Sequence, residues 1–320
     1  MSRFGRKAAA HVTGQTIRPP RLRPGSRVVL VCPAGPVDDA SFDAALRRCE
    51  AFGFEGVVGP SARERHGYLA GPDAKRASDL QRALEDPSVD AIWALRGGYG
   101  SMRILEWIDL APLRSHPKVF IGFSDNTALH RIMGGSGLIT FHGPHAGNSF
   151  PPFTEQCFRR ILFHAEPAGV LPSPEDGPDE PLSTLVGGRA EGRLIGGNLA
   201  LLASLCGTPW APVTRDRILV IEEVSDAAYR IDRTWTQLRL SGCLEGVRGI
   251  VLGRFTDRPE KSGERPFREI LLDLVEPLGV PVLAGAPVGH VDQQWTVPLG
   301  ARARLDGDSG TLEVLEPAVA

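Results

Sequence analysis

The sequence is poor in the features that mark membrane, secreted or metal-binding proteins. No apolar run approaches the roughly 18 residues needed to cross a bilayer. The five cysteines are scattered and odd in number, which favours free thiols in a reducing compartment over a disulfide framework. Neither a C-x-x-C pair nor an H-E-x-x-H motif is present, and we expect no metal or other cofactor. A net charge of −2 provides no overall field for nucleic acid or a membrane, so a cytoplasmic protein without such partners is predicted.

Acidic residues are absent from the first 23 positions, which carry six arginines and lysines. This stretch also lacks the apolar core of a secretory signal peptide, so residues 1–23 are predicted to form a disordered basic leader. Across all 320 residues, 42% are hydrophobic and 23% are charged. That composition is typical of a soluble globular protein with one large domain or two ordinary ones.

Strand-like and helix-like segments alternate along the first half of the chain. The alternation predicts an α/β fold with a doubly wound, mostly parallel sheet over residues 24–164. In such a sheet, ligands bind beyond the carboxyl ends of the strands. The predicted elements include strands at 27–32, 54–58 and 91–95 and helices at 41–52 and 73–84.

A break in composition separates this N-terminal domain from the rest of the chain. Five prolines lie between positions 165 and 181 without any periodic pattern, so residues 165–190 are predicted to be a proline-rich linker. Residues 191–320 again alternate strand-like and helix-like segments and end in several short strands. They predict a second, smaller α/β domain that is β-rich.

Gly-Phe-Ser-Asp-Asn at 122–126 has the pattern of a nucleophilic serine. It follows a short apolar run and precedes a helix-like segment, so the turn lifts the Ser124 hydroxyl beyond the sheet edge. Asn126 replaces the second glycine of the G-x-S-x-G pattern, which is feasible because Asn tolerates unusual backbone angles. The alternative is that Ser124 or Asp125 only caps the helix.

A serine nucleophile needs a base, and histidine oriented by a carboxylate is the usual one. Residue chemistry alone divides this role between His290, in a glycine-flanked loop, and the pair His142 and His145. Glu222 and Glu223 end an apolar strand, where a carboxylate faces either a cleft or solvent.

The Gly-Gly-Tyr-Gly loop at 97–100 follows a predicted strand and is a second candidate for ligand contact. Its backbone N–H groups can serve an oxyanion or a phosphate, although a tight turn is an equally good interpretation. If the loop binds only an anion, the chain is a non-catalytic binding module.

Six short motifs with glycine, histidine or acidic residues follow one another along the chain. They are Leu95-Arg-Gly-Gly-Tyr-Gly-Ser101, Ile121-Gly-Phe-Ser-Asp125, Phe141-His-Gly-Pro144, Ile195-Gly-Gly-Asn-Leu199, Ile221-Glu-Glu-Val224 with Tyr229-Arg-Ile-Asp-Arg233, and Gly285-Ala-Pro-Val-Gly-His290. In this order they resemble the LD-carboxypeptidase family, which also contains the microcin C self-immunity peptidases. The resemblance covers roughly residues 24–317. It implies a serine peptidase and a homodimer, with a doubly wound N-terminal domain and a smaller β-rich C-terminal domain.

Carried over residue by residue, the resemblance implies a Ser–Glu–His triad. Ser124 would be the nucleophile, His290 the general base and Glu222 the carboxylate that orients the base, with the neighbouring glutamate as its alternative. The oxyanion hole would use the backbone N–H groups of Asp125 and Gly98.

The reaction implied by the resemblance releases a terminal D-amino acid, typically D-alanine from a murein tetrapeptide during wall recycling. A carboxypeptidase also needs a cation for the terminal carboxylate of this small peptide substrate, and Arg96, Arg230 and Arg233 are candidates. The alternative within the family is a peptidyl- or aminoacyl-nucleotide, whose base would stack on Trp210 or Trp235.

Overall fold

A computed structural model describes residues 16–174, 181–259, 263 and 265–320. Most of the predicted leader, residues 1–15, lies outside this part of the chain. Residues 16–23 are packed against the body of the protein, unlike the expected disordered leader. Leu22 is buried, and the backbone N–H of Arg21 donates to the carbonyl of Ala320 at 3.0 Å.

The described residues form fourteen strands and eight α-helices. The strands are β1 (Arg27–Val31), β2 (Glu55–Val58), β3 (Ala91–Ala94), β4 (Val119–Gly122), β5 (Thr140–His142), β6 (Pro167–Val170), β7 (Ser183–Val186), β8 (Arg189–Asn198), β9 (Arg217–Val224), β10 (Gly249–Thr256), β11 (Val282–Ala284), β12 (Val297–Leu299), β13 (Arg302–Asp306) and β14 (Thr311–Pro317). The α-helices are α1 (Asp39–Ala51), α2 (Asp73–Glu85), α3 (Pro112–Ser115), α4 (Thr127–Gly135), α5 (Pro152–Leu162), α6 (Leu199–Ser204), α7 (Ala228–Leu240) and α8 (Phe267–Val275). Short 3-10 helices occur at Ser101–Trp107, Ser124–Asn126 and Glu276–Leu278.

The first sheet has the order β2-β1-β3-β4-β5-β12, and its first five strands are parallel. Apolar side chains cover both of its faces. Trp93 packs into one core cluster, and its neighbour Ile92 packs into the other. The strand order reverses between β1 and β3, which opens a crevice at the carboxyl ends of these strands. The predicted doubly wound, mostly parallel sheet is confirmed.

The second sheet has the order β6-β14-β13-β8-β9-β10-β11-β7. Strands β8 to β11 are parallel in its centre, and the outer strands pair antiparallel. The prediction of a β-rich C-terminal α/β region is therefore confirmed. Within the described part of the chain, no helix has the length and apolar composition that a membrane span requires.

The segment 165–190, expected as a proline-rich linker, contributes both edge strands of the second sheet. Strand β6 pairs with β14, and strand β7 pairs with β11. Proline is compatible with edge strands because one side of the backbone needs no ladder hydrogen bond. Residues 175–180, which hold the acidic part of the predicted linker, lie outside the described residues.

Strand β12 connects the two sheets, although it follows β11 of the second sheet in sequence. It pairs antiparallel with β5, where Val297 lies opposite His142. One continuous hydrophobic cluster contains Trp93 and Phe158 from the first half together with Leu194 and Val220 from the second. The two halves therefore share a core as well as a strand.

Candidate active site

Ser124 stands at a strained turn between β4 and α4. Its φ of 59° lies in the left-handed region, which is unfavourable for a residue with a side chain. The turn passes so close to Gly97 that a Cβ there would lie 2.7 Å from the Cβ of Ser124. Helix α4 has Asn126 as its N-cap, without a side-chain cap hydrogen bond, so neither Ser124 nor Asp125 caps it. The strained turn instead exposes the serine hydroxyl at the sheet edge.

The structure brings His290 and Glu222 to this hydroxyl. The Nε2 atom of His290 lies 3.2 Å from the Oγ of Ser124, and its Nδ1 lies 2.9 Å from the Oε2 of Glu222. The carboxylate is fully buried, whereas a quarter of the His290 side chain is exposed. Gly289 makes this approach feasible, because a Cβ at that position would lie 2.8 Å from the Oε2 of Glu222. An imidazole in this position can accept the serine proton from one side while a carboxylate holds its other nitrogen.

His142 and His145, the alternative bases, form a buried wall beside the site. The Nε2 of His145 accepts a hydrogen bond from the backbone N–H of Phe123 at 3.4 Å and lies 3.1 Å from the amide nitrogen of Asn126. Burial lowers the pKa of His145 to about 3 and holds the pKa of His142 well below its ordinary value. Both rings are therefore neutral near pH 7, and His290 is the ring within hydrogen-bond distance of Ser124.

The two adjacent glutamates serve different partners because successive strand residues point to opposite faces. Glu222 faces His290, whereas Glu223 accepts hydrogen bonds at 2.8 Å from the amide of Asn198 and from the backbone N–H of Ala200. The latter contact lies at the start of α6. Burial raises the pKa of Glu223, and these hydrogen bonds oppose that rise. Glu223 thus holds a helix start in place, and the geometry pairs the imidazole with Glu222.

The loop at 97–100 is tied firmly to the serine turn. Ser101 donates its backbone N–H to the carboxylate of Asp125 at 2.7 Å and its hydroxyl to the carbonyl of the same residue. Arg76, a buried side chain of α2, donates to the carbonyl of Gly100 at 3.0 Å. Gly98 has a φ of 95°, which glycine adopts without strain. The loop backbone and the N–H of Asp125 are therefore held on one framework around Ser124.

The predicted cations lie in different surroundings. Arg96 lines a cleft of about 570 Å³ next to Gly98. Arg230 is paired with Asp226 at 3.5 Å on the exposed face of α7, and Arg233 lies 5.8 Å from the ring of Tyr229. Only Arg96 of these three lines this cleft.

Neither tryptophan candidate lines the cleft that contains Arg96. Trp235 is buried and donates its ring N–H to the carbonyl of Leu274 at 3.0 Å. Trp210 is partly buried against the core under the first sheet. The described residues contain no cluster of three or more histidine, cysteine or acidic side chains that could hold a metal ion.

Sequence reasoning missed several supporting residues. Arg65 and Tyr68 line the cleft with Arg96, although they lie in a loop without a recognisable motif. The burial of Arg76 could not be predicted from the sequence either, because an arginine in a helix is ordinarily solvated. Gly289 did give a signal, because a glycine directly before His290 indicates a close backbone approach.

Two domain models of one family match the chain in the regions that carry the site. The LD-carboxypeptidase N-terminal domain matches residues 28–143, which contain Ser124. The LD-carboxypeptidase C-terminal domain matches residues 191–305, which contain Glu222 and His290.

Similar proteins cover nearly the whole chain. A Streptomyces coelicolor protein, named provisionally as a carboxypeptidase, is 43% identical over 314 residues, which are 95% of this chain and 98% of its own. The murein tetrapeptide carboxypeptidase of Pseudomonas aeruginosa is 34% identical over 88% of this chain and 94% of its own. A solved structure of the microcin C7 self-immunity protein, in complex with glutamyl sulfamoyl guanosine, has a TM-score of 0.86 at 25% identity. It covers 95% of this chain and 99% of that protein.

The chain therefore belongs to the LD-carboxypeptidase family, as the order of its six motifs predicted. Its relatives include carboxypeptidases, which are hydrolases.

Proposed function

We propose that this protein is a serine LD-carboxypeptidase that hydrolyses the amide between an L-centre and a terminal D-amino acid. The observation that carries the proposal is the hydrogen-bonded chain from Glu222 through His290 to Ser124, with contacts of 2.9 and 3.2 Å. These side chains come from both halves of the molecule and meet at the carboxyl edge of the first sheet. Family membership supports the same reaction class.

In the proposed mechanism, the Nε2 of His290 accepts the hydroxyl proton of Ser124 while Oγ attacks the carbonyl carbon. The negative charge that develops on the carbonyl oxygen is stabilised by the backbone N–H groups of Asp125 and Gly98. His290 then donates the proton to the amine of the leaving D-amino acid, and an acyl-enzyme remains on Ser124. A water molecule, deprotonated by the same imidazole, releases the acyl group.

Glu222 would act through His290 and not on the substrate directly. Its Oε2 accepts the hydrogen bond from Nδ1, which selects the tautomer that leaves Nε2 free to accept a proton. Because the carboxylate is fully buried, its charge acts on the imidazolium without screening by water.

A murein tetrapeptide with terminal D-alanine is the substrate we propose. The Pseudomonas aeruginosa relative carries that activity in its name, and the arginine-lined cleft beside Gly98 supports recognition of a terminal carboxylate. The second candidate is an aminoacyl-nucleotide, which the fold similarity to the microcin C7 self-immunity protein favours. Comparing turnover of a murein tetrapeptide with that of an aminoacyl sulfamoyl adenosine separates the two.

A fluorophosphonate probe tests the mechanism independently of the substrate. We expect the full-length protein to be labelled at Ser124 and the Ser124→Ala variant to remain unlabelled. Labelling of neither protein would contradict the proposal and favour a non-catalytic anion-binding module. His290→Ala should lower tetrapeptide turnover by about three orders of magnitude or more if the imidazole is the base.

A further inference from the structure

The cleft beside the serine turn has an unusual charge. Two arginines, Arg65 and Arg96, and two tyrosines, Tyr68 and Tyr99, form its walls, and the loop at Gly98 completes it. Among the described residues that line this cleft, none is acidic. A cleft of about 570 Å³ with two cations and no lining carboxylate is suited to an anionic group.

The cleft is lined by the two residues that flank Gly97, the glycine in contact with Ser124. Gly97 lies against Ser124, since a Cβ on that glycine would be 2.8 Å from the serine Oγ. Its two chain neighbours, Arg96 and Gly98, both line the cleft. The cleft therefore adjoins the loop residue that contacts the serine hydroxyl.

Neither guanidinium group forms an ion pair within the described residues, although Asp38 lies near enough to Arg96 to interact with it electrostatically. Arg96 donates to the carbonyl of Pro36 at 2.8 Å, which fixes its direction without removing its charge. Arg65 is exposed, and its side chain forms no hydrogen bond or ion pair with the described part of the chain. Glu64, the acid next to it in sequence, already pairs with Lys75 at 2.6 Å.

We propose that Arg65 and Arg96 together bind the terminal carboxylate of the amino acid that leaves. This inference rests on the proposed function, because it places the leaving residue in the cleft and the scissile carbonyl at Ser124. Two guanidinium groups facing one carboxylate form charge-assisted hydrogen bonds, which are stronger than neutral ones.

The tyrosines fit the same occupant. Tyr68 and Tyr99 are 66% and 49% exposed, and their rings meet edge to face with centroids 5.7 Å apart. Exposed aromatic rings at a cleft rim indicate a contact surface for a ligand. They would cover the small apolar side chain of the leaving residue while the arginines hold its carboxylate.

A binding experiment tests the cleft without requiring catalysis. The full-length Ser124→Ala protein is titrated in a calorimeter with two forms of one murein tetrapeptide, with the terminal D-alanine as free carboxylate or as carboxamide. We expect the carboxylate form to bind on the order of ten- to a hundredfold more tightly, and Arg65→Gln to remove most of that preference. Arg65→Lys, which keeps the charge, should restore part of it.

Arg63 provides the matched control. It lies two positions from Arg65 and is also exposed, but it pairs with Asp39 at 2.9 Å and does not line the cleft. Arg63→Gln should therefore leave the preference for the carboxylate peptide unchanged. Equal binding of the two peptides would overturn the inference. Equal effects of Arg65→Gln and Arg63→Gln on the carboxylate preference would overturn it as well.

The kinetics provide a second readout in the protein with Ser124 intact. Arg65→Gln should raise KM for the carboxylate peptide by on the order of ten- to a hundredfold with kcat nearly unchanged, because binding to the carboxylate is the same in ground and transition states. Loss of kcat without a rise in KM would contradict the assignment. A failure of the proposed function has a different signature, namely carboxylate-selective binding by Ser124→Ala with neither turnover nor fluorophosphonate labelling of the unmutated protein.

Discussion

The two sheet edges that meet at the site are built by different means. At the edge of the first sheet, backbone geometry presents Ser124, through a φ of 59° and the close approach of Gly97. At the edge of the second sheet, side-chain contacts position the site residues, because Glu222 is buried and holds His290 by a hydrogen bond. At the site itself, the first sheet therefore contributes a strained turn that carries the hydroxyl, and the second sheet contributes a buried carboxylate.

Stability and activity are therefore expected to be coupled in different ways at these two edges. Relieving the strained turn should stabilise the protein and remove activity. Substituting each of the two buried glutamates should give different effects, because Glu222 contacts the imidazole and Glu223 contacts the start of a helix.

The largest effect is expected for Ser124→Gly. Glycine adopts a φ of 59° without strain, so we expect the free energy of unfolding to rise by about 0.5–1 kcal/mol. Tetrapeptide turnover should fall by three orders of magnitude or more, because no hydroxyl remains. Urea unfolding and steady-state kinetics measure the two quantities. Ser124→Ala is the control, since it removes the hydroxyl and keeps the strain; equal stability of the two variants would show that the turn stores none.

The paired glutamates give the second prediction. Glu222→Gln should lower kcat by about two to four orders of magnitude, because a neutral amide neither fixes the tautomer nor stabilises the imidazolium. Glu223→Gln should lower kcat less than tenfold but reduce the free energy of unfolding by about 1–3 kcal/mol, because its contacts to Asn198 and Ala200 weaken. Kinetics and urea unfolding of both variants are compared. A larger loss of kcat in Glu223→Gln would reverse the assignment.

Gly197→Ala tests the contact between the two regions. A Cβ at this position would lie 2.3 Å from the Oγ1 of Thr127, the first residue of α4, and the φ of 137° adds backbone strain. We expect a loss of about 3 kcal/mol or more in unfolding free energy and a lower kcat, since α4 must shift beneath Ser124. Gly207→Ala is the matched control, with a φ of 81° and nothing within 4 Å, and it should cost only about 1 kcal/mol. Similar losses of unfolding free energy in the two variants would mean that backbone strain, and not the contact with Thr127, causes the effect.

The pH dependence of stability gives the smallest effect. Burial lowers the pKa of His130 from 6.5 to about 4, so between these values the unfolded state binds a proton that the folded state does not. Stability contributed by this ring is therefore complete above pH 6.5 and falls as the pH drops toward 4, by about 2 kcal/mol between pH 7 and 5.

The lowered pKa values of His142 and His145 act in the same direction and the raised pKa values of Asp125 and Glu223 act in the opposite direction, so His130 must be isolated by a difference. Urea unfolding of the unmutated protein and of His130→Asn at pH 7 and 5 provides it. The variant should show a smaller decrease between the two pH values. His116→Asn, at an exposed position, should behave like the unmutated protein, and identical pH dependence in His130→Asn would refute the account.

Local sequence pattern was sufficient for the alternation of strands and helices and for the turn at Ser124. It could not choose between Glu222 and Glu223, because strand periodicity requires them to face opposite sides without saying which side holds the histidine. The pairing of β12 with β5 could not be predicted for a related reason, since β5 lies more than 150 residues earlier and only tertiary packing selects it. The edge strands within 165–190 were likewise hidden by a proline content that edge positions tolerate.

The placement of β12 also determines how His290 is held. The segment that carries this ring leaves the second sheet at β11 and enters the first sheet at β12, so it is anchored at both ends to different halves of the molecule. If one half slides against the other, this segment must move, and the ring of His290 shifts relative to the hydroxyl of Ser124. The proposed alignment of His290 with Ser124 therefore depends on the relative position of the two halves, and a fluorophore on the segment between β11 and β12 would report their relative motion.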